Sequence, residues 1–296
     1  MNISDKLKKL DATDERQYLI NENYEVYEKQ GAPIGATNFH SHNFYEVIYV
    51  LSGEYSAMIG DRIYRAKKGD FLLINRDILH RYEDVIPKAD ASNRIILWIT
   101  PGYLSSLSGE DIDLSACFRK QDTCAYHFPI YYEEMLQNYL LKLAMTEVVG
   151  FPKEGVKEVA DRGYLTLFFV YLNLLCDRQE YRHLGENYQS HPLLQKVSEY
   201  IDAHMGEKIP VDELAKAVHM SKYHFLRTFK EISGETVHNY INNKKLMTAC
   251  ELLRQGKPVA ECYETVGFTD YTSFLRNFRR VYGISPGKYN QYYNEQ

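Results

Sequence analysis

The chain has 296 residues, of which 45% are hydrophobic and 25% charged, with a net charge of −5 and five cysteines. That length allows two globular domains, each with its own core, and the composition is that of a folded, water-compatible protein rather than a disordered or collagenous one. The acidic balance argues against a protein that coats nucleic acid indiscriminately. The odd, scattered cysteines Cys117, Cys124, Cys176, Cys250 and Cys262 read as free thiols in a reducing compartment.

Residues 1–35 are polar. Lys6–Leu10 could begin a short helix, and Tyr24, Val26 and Tyr27 an early strand. From Asn38 to Ile99 the texture is β. Phe44–Leu51 is rich in β-branched and aromatic residues, and Tyr55–Ile59 and Ile63–Ala66 flank a Gly60-Asp61 hairpin turn. Phe71–Ile74, His80–Tyr82 and Arg94–Ile99 supply further strands. Short strands with a turn signal every 8–12 residues predict a sandwich or barrel. Within them runs Gly35-x4-His40-x-His42-x3-Glu46-x6-Gly53, followed by Gly69-Asp70-x9-His80. This spacing resembles the two motifs of the cupin barrel, with departures: Asn75 and Asp77 stand where Pro and Gly are usual, and four residues rather than five precede His40.

Along one strand, positions 40, 42 and 46 share a face because side chains alternate with period two. His40, His42, Glu46 and His80 can therefore converge inside the barrel, and three readings stand side by side. The cluster lines a pocket for a small polar effector, with Tyr45, Tyr82 and Trp98 as walls; or it holds a divalent metal, being a three-His, one-carboxylate set; or it is a hydrogen-bonded structural cluster without a ligand. The first is preferred, with no metal and no other cofactor assigned.

Tyr103–Phe128 reads as loop. Ile130–Val149 and Lys157–Arg178 have helical apolar spacing, the second with an apolar surface wider than one stripe, so that it packs on two sides or forms an oligomer interface. Its runs, such as Leu165–Leu175, look too short to span a bilayer, and the N-terminus lacks the pattern of a secretory signal. Tyr181–Ser190 is polar and reads as a linker; Pro192 then opens a helix. From His191 on there are 14 Lys and Arg against 12 Asp and Glu, net +2, leaving −7 for the rest. A mildly basic module joined to an acidic one suits specific DNA binding better than coating.

Between Ile209 and Gly287 a pattern occurs twice, about 48 residues apart: Val211-Asp212-Glu213-Leu214-Ala215, His219-Met220-Ser221, Phe225, Phe229, Gly234; then Val259-Ala260-Glu261-Cys262-Tyr263, Gly267-Phe268-Thr269, Phe274, Phe278, Gly283. Each copy outlines a helix, a tight turn and a second helix, the helix-turn-helix whose second helix enters the major groove. Ser221 suits an N-cap, as does Thr269 or Asp270. Phe225 and Phe229 face inward at i, i+4. Lys222, Tyr223, Leu226 and Arg227 fall on the other face, where Arg227 can pair bidentately with guanine, Tyr223 and Leu226 can meet thymine methyls, and Lys230 a phosphate. In the second copy Tyr271, Thr272 and Arg276 project outward, with Arg279 and Arg280 toward phosphates. An ordinary solvated helix face is the bland alternative, and its repetition in both copies weighs against it.

This tandem pattern, with Ala249 and Leu252-Leu253 between the copies and Gly283-Ile284-Ser285-Pro286 near the end, resembles the AraC/XylS family of transcription regulators. The resemblance covers roughly the last 100 residues, and the cupin barrel is the usual N-terminal effector domain of such proteins. It implies that Tyr223, Leu226 and Arg227, and Tyr271, Thr272 and Arg276, occupy the base-reading positions, that the helical segment dimerises the chain, and that activation is the commoner outcome. Two residues depart from the family: Cys262-Tyr263 replaces Ile-Ala, so the first reader is expected to carry more of the affinity, and Lys245 stands where Arg is common.

The expected fold class is α+β multidomain: a cupin-like β-barrel followed by helices, then an all-α domain with two helix-turn-helix motifs. The expected domains are 1–128 (effector sensing), 129–180 (helical dimerisation), 181–190 (linker) and 191–296 (DNA binding). The expected function is a cytoplasmic, non-enzymatic regulator that binds promoter DNA and a small effector, for which 26 tyrosines hint weakly at a sugar. It is expected to act as a homodimer, to engage RNA polymerase and to have no membrane partner. The rivals are a metal-binding cupin oxygenase or isomerase fused to a DNA-binding domain, and a DNA-binding regulator with a silent N-terminal domain.

Overall fold

The computed structural model describes residues 9–10, 19–30, 40–60, 62–84, 92–119, 124–146, 154–181, 189–190, 192–282 and 284–294. Lys6, Gly35, Asp61, Gly283 and residues 182–188 of the expected linker lie outside them. Two sheets face each other. One has six strands in the order β1 (Lys9–Leu10), β2 (Tyr24–Gln30), β8 (Asn93–Ile99), β3 (Tyr45–Ser52), β6 (Asp70–Ile74) and β9 (Ala125–His127). The other has four, in the order β10 (Gln189–Ser190), β5 (Arg62–Lys67), β4 (Glu54–Ile59) and β7 (His80–Asp84).

Alternation along the larger sheet sorts its side chains. Tyr27, Ile48, Val50, Leu72, Ile74, Ile96 and Trp98 turn inward against Tyr55, Ala57, Tyr64 and Tyr82 of the smaller sheet. Val26, Tyr45, Val47, Tyr49, Phe71, Leu73, Ile95, Leu97 and Ile99 turn outward against two helices, α2 (Ile130–Thr146) and α3 (Glu154–Cys176). A strand buried on both faces loses the polar alternation of a half-exposed one, which is why Tyr45–Leu51 reads as nearly continuous apolar sequence.

Four sequence expectations change. Leu10 with Lys9 forms a parallel strand beside Glu28 and Lys29 rather than helix. Tyr103–Phe128 is structured: α1 (Pro101–Leu107) is capped by Thr100, a 3-10 turn spans Ala116–Arg119, and β9 closes the edge of the six-stranded sheet. The end of the expected linker, Gln189–Ser190, pairs with β5. Finally, α3 is long and apolar enough to cross a bilayer by length and composition. Here it packs Leu165, Phe168, Phe169, Leu172 and Leu175 onto the sheet and leaves Val159 (73%) and Leu174 (59%) exposed.

The C-terminal half is helical: α4 (Pro192–Ala203), α5 (Val211–Ala217), α6 (Lys222–Ser233), α7 (Val237–Arg254), α8 (Val259–Thr265), α9 (Tyr271–Tyr282) and α10 (Pro286–Asn294). It has two cores. One gathers Leu194, Val197, Ile201, Leu214, Phe225, Phe229 and Tyr240; the other Leu246, Ala249, Leu253, Cys262, Phe274, Phe278 and Tyr289. Helix α7 feeds both.

Candidate effector site and DNA-reading surface

The two turns are superimposable in their hydrogen bonding. In the first, Val218, His219 and Met220 N–H donate to Leu214, Lys216 and Ala215; in the second, Val266, Gly267 and Phe268 donate to Cys262, Glu264 and Tyr263. The same pattern requires a left-handed residue at the same point, and His219 (φ 58) and Gly267 (φ 71) supply it. Ser221 caps α6 through His224 N–H, and Asp270, not Thr269, caps α9 through Ser273 N–H.

On α6, Phe225 and Phe229 are fully buried, whereas Tyr223 is 79% and Leu226 39% exposed. Arg227 is exposed and donates from Nε to Glu231 Oε1 at 2.8 Å. Lys222 pairs with Asp212 at 2.9 Å, and Lys230 is exposed. Exposed ion pairs of this kind are weak, so Arg227 can exchange Glu231 for another acceptor at little cost. On α9, Phe274 and Phe278 are buried while Tyr271, Thr272, Arg276, Arg279 and Arg280 are exposed, Arg280 donating to Asn277 Oδ1.

The unusual Tyr263 lies at the edge of the second core. Its ring meets Tyr271 edge-on at 5.2 Å, so it leans on a candidate reader. Lys245 is not at the DNA face. It is buried and donates to Glu207 O (2.9 Å) and Gly267 O (2.8 Å), tying the two motifs together. Arg227→Ala is expected to cost about 1–3 kcal/mol of specific binding at one base pair, and Lys230→Ala a loss uniform over sequences. Binding measured against a panel of single-base operator variants separates the two.

Inside the barrel the sequence cluster forms, with one member displaced and one wall lost. Glu46, His42 and His80 are all buried, and their ligand atoms lie within 4.8 Å of one another. Glu46 Oε2 is 3.2 Å from His42 Nε2 and 3.3 Å from His80 Nε2, and it accepts from Tyr82 OH at 2.9 Å; Glu46 Oε1 accepts from Trp98 Nε1 at 3.0 Å. His40 is half-buried. Its backbone bridges to His80, and its ring lies 4.2 Å from that of His80. Tyr45 is not a wall: one residue from Glu46, it points to the opposite face and stacks on Phe118 at 4.5 Å. Sequence reading also missed Arg94, fully buried with its guanidinium over Tyr55 (4.6 Å) and Tyr82 (5.7 Å). A charged residue in a strand otherwise reading Ile-Ile-Leu-Trp-Ile was the available signal.

The protonation of the cluster follows from its second contacts. His42 Nδ1 is 3.0 Å from Phe44 O and His80 Nδ1 2.7 Å from Ile78 O. A carbonyl only accepts, so both Nδ1 atoms carry the proton, and in neutral rings both Nε2 lone pairs face the carboxylate. Burial pushes the His42 pKa down, against the hydrogen bond that the protonated ring donates to Glu46. Burial alone would raise Glu46, but where His42 and His80 are protonated and donate to it, their hydrogen bonds and charge outweigh burial and hold the carboxyl well below its usual range. Converging lone pairs of this kind are relieved by a donor or a cation. Bonds of about 2.0 Å at tetrahedral angles give ligand–ligand edges of about 3.3 Å, which the two N–O separations match, and imidazoles fixed by carbonyls are the usual support of a metal site. The three ligand atoms as a set lie within 4.8 Å of one another, so these residues could hold a divalent cation once the two imidazoles draw together.

A two-sheet barrel with an interior polar cluster, joined to two helix-turn-helix motifs with exposed reading faces, defines a DNA-binding regulator with a ligand-binding domain. Residues 23–96 match the family model of an AraC-like ligand binding domain, and residues 214–292 that of a helix-turn-helix domain, together just over half of the chain. The chain belongs to the AraC family of transcription regulators. It is 23% identical over 252 residues to the probable transcriptional regulator LumQ of Photobacterium leiognathi, covering 85% of this chain and 91% of that one. It is 28% identical over 207 residues to the MmsAB operon regulatory protein of Pseudomonas aeruginosa, covering 66% and 65%. Among solved structures, apo ToxT of Vibrio cholerae aligns over 92% of this chain and 98% of its own at 13% identity, with a TM-score of 0.40.

Proposed function

We propose that this regulator is a non-enzymatic, cytoplasmic activator that captures a small polar effector, a sugar among the candidates, in the barrel, and reads promoter DNA as a homodimer in contact with RNA polymerase. The observation that carries the effector reading is the convergence of His42, Glu46 and His80 with Tyr82 and Trp98 on one interior point, with His40 at its rim. Buried polar side chains aimed at one spot are what a pocket for a hydroxyl-bearing ligand needs. Dimerisation is assigned to α3, where Val156, Val159, Leu167 and Leu174 are large hydrophobic side chains left exposed. The two readers of one chain would meet successive major grooves, about 34 Å apart. Effector binding would act by shifting the population of domain arrangements.

The experiment is a thermal-shift screen of sugars and metabolites on the full chain, followed by DNA binding with each hit. An effector is expected to raise the unfolding temperature of the wild type and change its DNA affinity, and to do neither in His80→Ala. DNA affinity indifferent to every compound would instead favour a silent N-terminal domain, and turnover of a bound compound would favour an enzyme.

The lone-pair geometry supports a second reading, in which His42, Glu46 and His80 hold a divalent cation that anchors the effector. When bound, such an ion would supply Lewis acidity toward an effector oxygen. Protein purified without chelator is then expected to carry about one metal per chain by elemental analysis, lost in His42→Ala. Metal-free wild type would leave the purely organic effector.

A further inference from the structure

We propose that the barrel clamps the two DNA-reading helices by their C-terminal ends, so that the histidine–glutamate cluster sets their orientation relative to each other. This rests on the reading that both motifs contact DNA, and it adds the physical link between the cluster and the readers.

The contacts fall at two ends. At the end of α6, Arg81 Nη2 donates to Ile232 O at 3.0 Å. Its guanidinium fills the space beside Gly234, the left-handed residue that terminates the helix (φ 75), where a Cβ would fall on the guanidinium itself. Met58 and Leu79 of the barrel join the core of the first motif. At the end of α9, the Tyr282 hydroxyl meets Ser41 Oγ at 3.2 Å, both buried. Beside it, Asp77 forms an ion pair with Arg254, the last residue of α7, and accepts from the Tyr289 hydroxyl at 3.3 Å. The rings of Tyr282, Tyr289 and Phe278 pack together, so Ser41 and Asp77 grip one aromatic group at the base of the second motif.

Each gripping residue adjoins the cluster. Ser41 lies between His40 and His42, and Arg81 follows His80. Asp77 donates its N–H to His42 O at 2.7 Å. Asp77 is also held at φ 62, a left-handed conformation that few residue types other than Gly, Asn and Asp adopt, where the cupin pattern would have Gly. A movement of the 40–42 segment or of His80 that accommodates an occupant is therefore delivered to positions 41, 77 and 81, and from them to both motifs. The candidate base-reading residues, Tyr223 to Arg227 and Tyr271 to Arg276, occupy the opposite, N-terminal halves of the same helices. The clamp leaves the DNA face open and acts on the angle between readers. The motifs have separate cores joined mainly through α7 and Lys245, so an outside grip on both has leverage.

The test uses the full chain and a DNA site selected by it from a random duplex library, with fluorescence anisotropy on that site and on a copy carrying one extra base pair between the two reader segments. The wild type is expected to bind the lengthened site at least tenfold more weakly. Asp77→Asn with Arg81→Gln keeps the left-handed residue in a tolerant type and removes both charged grips. It is expected to bind the selected site within about threefold of wild type and to lose spacing discrimination to under threefold. Tyr282→Phe, which deletes only the hydroxyl facing Ser41, is expected to move the same way and stands in if the double variant fails to fold. Glu46→Gln, which alters the cluster and no clamp contact, is expected to lose discrimination as well. Discrimination unchanged in a folded clamp variant, or in Glu46→Gln, overturns the proposal, as does a wild type that already tolerates the extra base pair. A wild type that selects no sequence overturns instead the DNA reading on which it rests.

Discussion

Glu46→Ala is expected to destabilise the N-terminal domain by about 3 kcal/mol and to abolish the response to effector. The carboxylate is the shared acceptor of the Tyr82 hydroxyl and the Trp98 indole N–H, and both donors are buried. Truncation strands them, and each unsatisfied buried donor costs about 1–3 kcal/mol. Some of that is returned because the carboxylate's own burial penalty disappears with it. Glu46→Gln keeps an acceptor for one of the two donors and should lose less stability while still losing the response, since His42 and His80 would face a neutral amide. Urea unfolding followed by Trp98 fluorescence measures the first effect, and DNA affinity with and without effector the second. The single tryptophan makes the probe specific to the barrel. Equal stability in Glu46→Ala and wild type would mean that the buried cluster contributes nothing to the fold.

Gly267→Ala is expected to cost more than tenfold in DNA affinity without touching a reading residue. Gly267 sits at φ 71, and a Cβ there would lie 2.8 Å from the Gly206 Cα and closer still to its carbonyl. That neighbour is backbone and cannot rotate away. The left-handed conformation alone costs a non-glycine residue about 1–2 kcal/mol, and the clash must also part the turn of the second motif from the 204–207 turn, breaking the Lys245 bridge between Glu207 O and Gly267 O. Gly256→Ala is the control: its φ is 79 and a Cβ would meet nothing within 4 Å. It should show the backbone cost alone, visible as lower stability but with near-normal DNA affinity. If the two variants bind DNA equally, the close approach of the turns does not position the second reader.

The first motif solves the same turn with His219, which shows why the second copy's irregularity, Cys262-Tyr263, did not damage it. What the turn requires is the hydrogen-bond pattern and one left-handed residue, and both copies have these. Tyr263 displaces nothing. It finds room at the rim of the core, against Tyr271 and Phe274.

Local sequence determined the tandem motifs, the inward phenylalanines, the outward readers and the strands of the barrel. Each rests on periodicity, capping or turn chemistry within about ten residues, and such short-range preferences need no knowledge of the rest of the chain. It also singled out His42, Glu46 and His80 as a set, but the expected single strand face does not bring them together: only Glu46 lies on β3, and His42 precedes that strand, where a bend at 43–44 turns its ring back to the carboxylate. Three things were decided only by tertiary structure. Tyr45 was assigned to the pocket because aromatic type was read without parity, and only the second layer of helices revealed that both faces of β3 are buried. Lys245 was noted only as standing where Arg is common; its burial between two turns depends on residues 38 and 22 positions away. The grip of Ser41, Asp77 and Arg81 on the readers spans separations of 151 to 241 residues. No local pattern encodes such contacts, because the energy of an interdomain ion pair or buried hydroxyl contact exists only once both surfaces have formed.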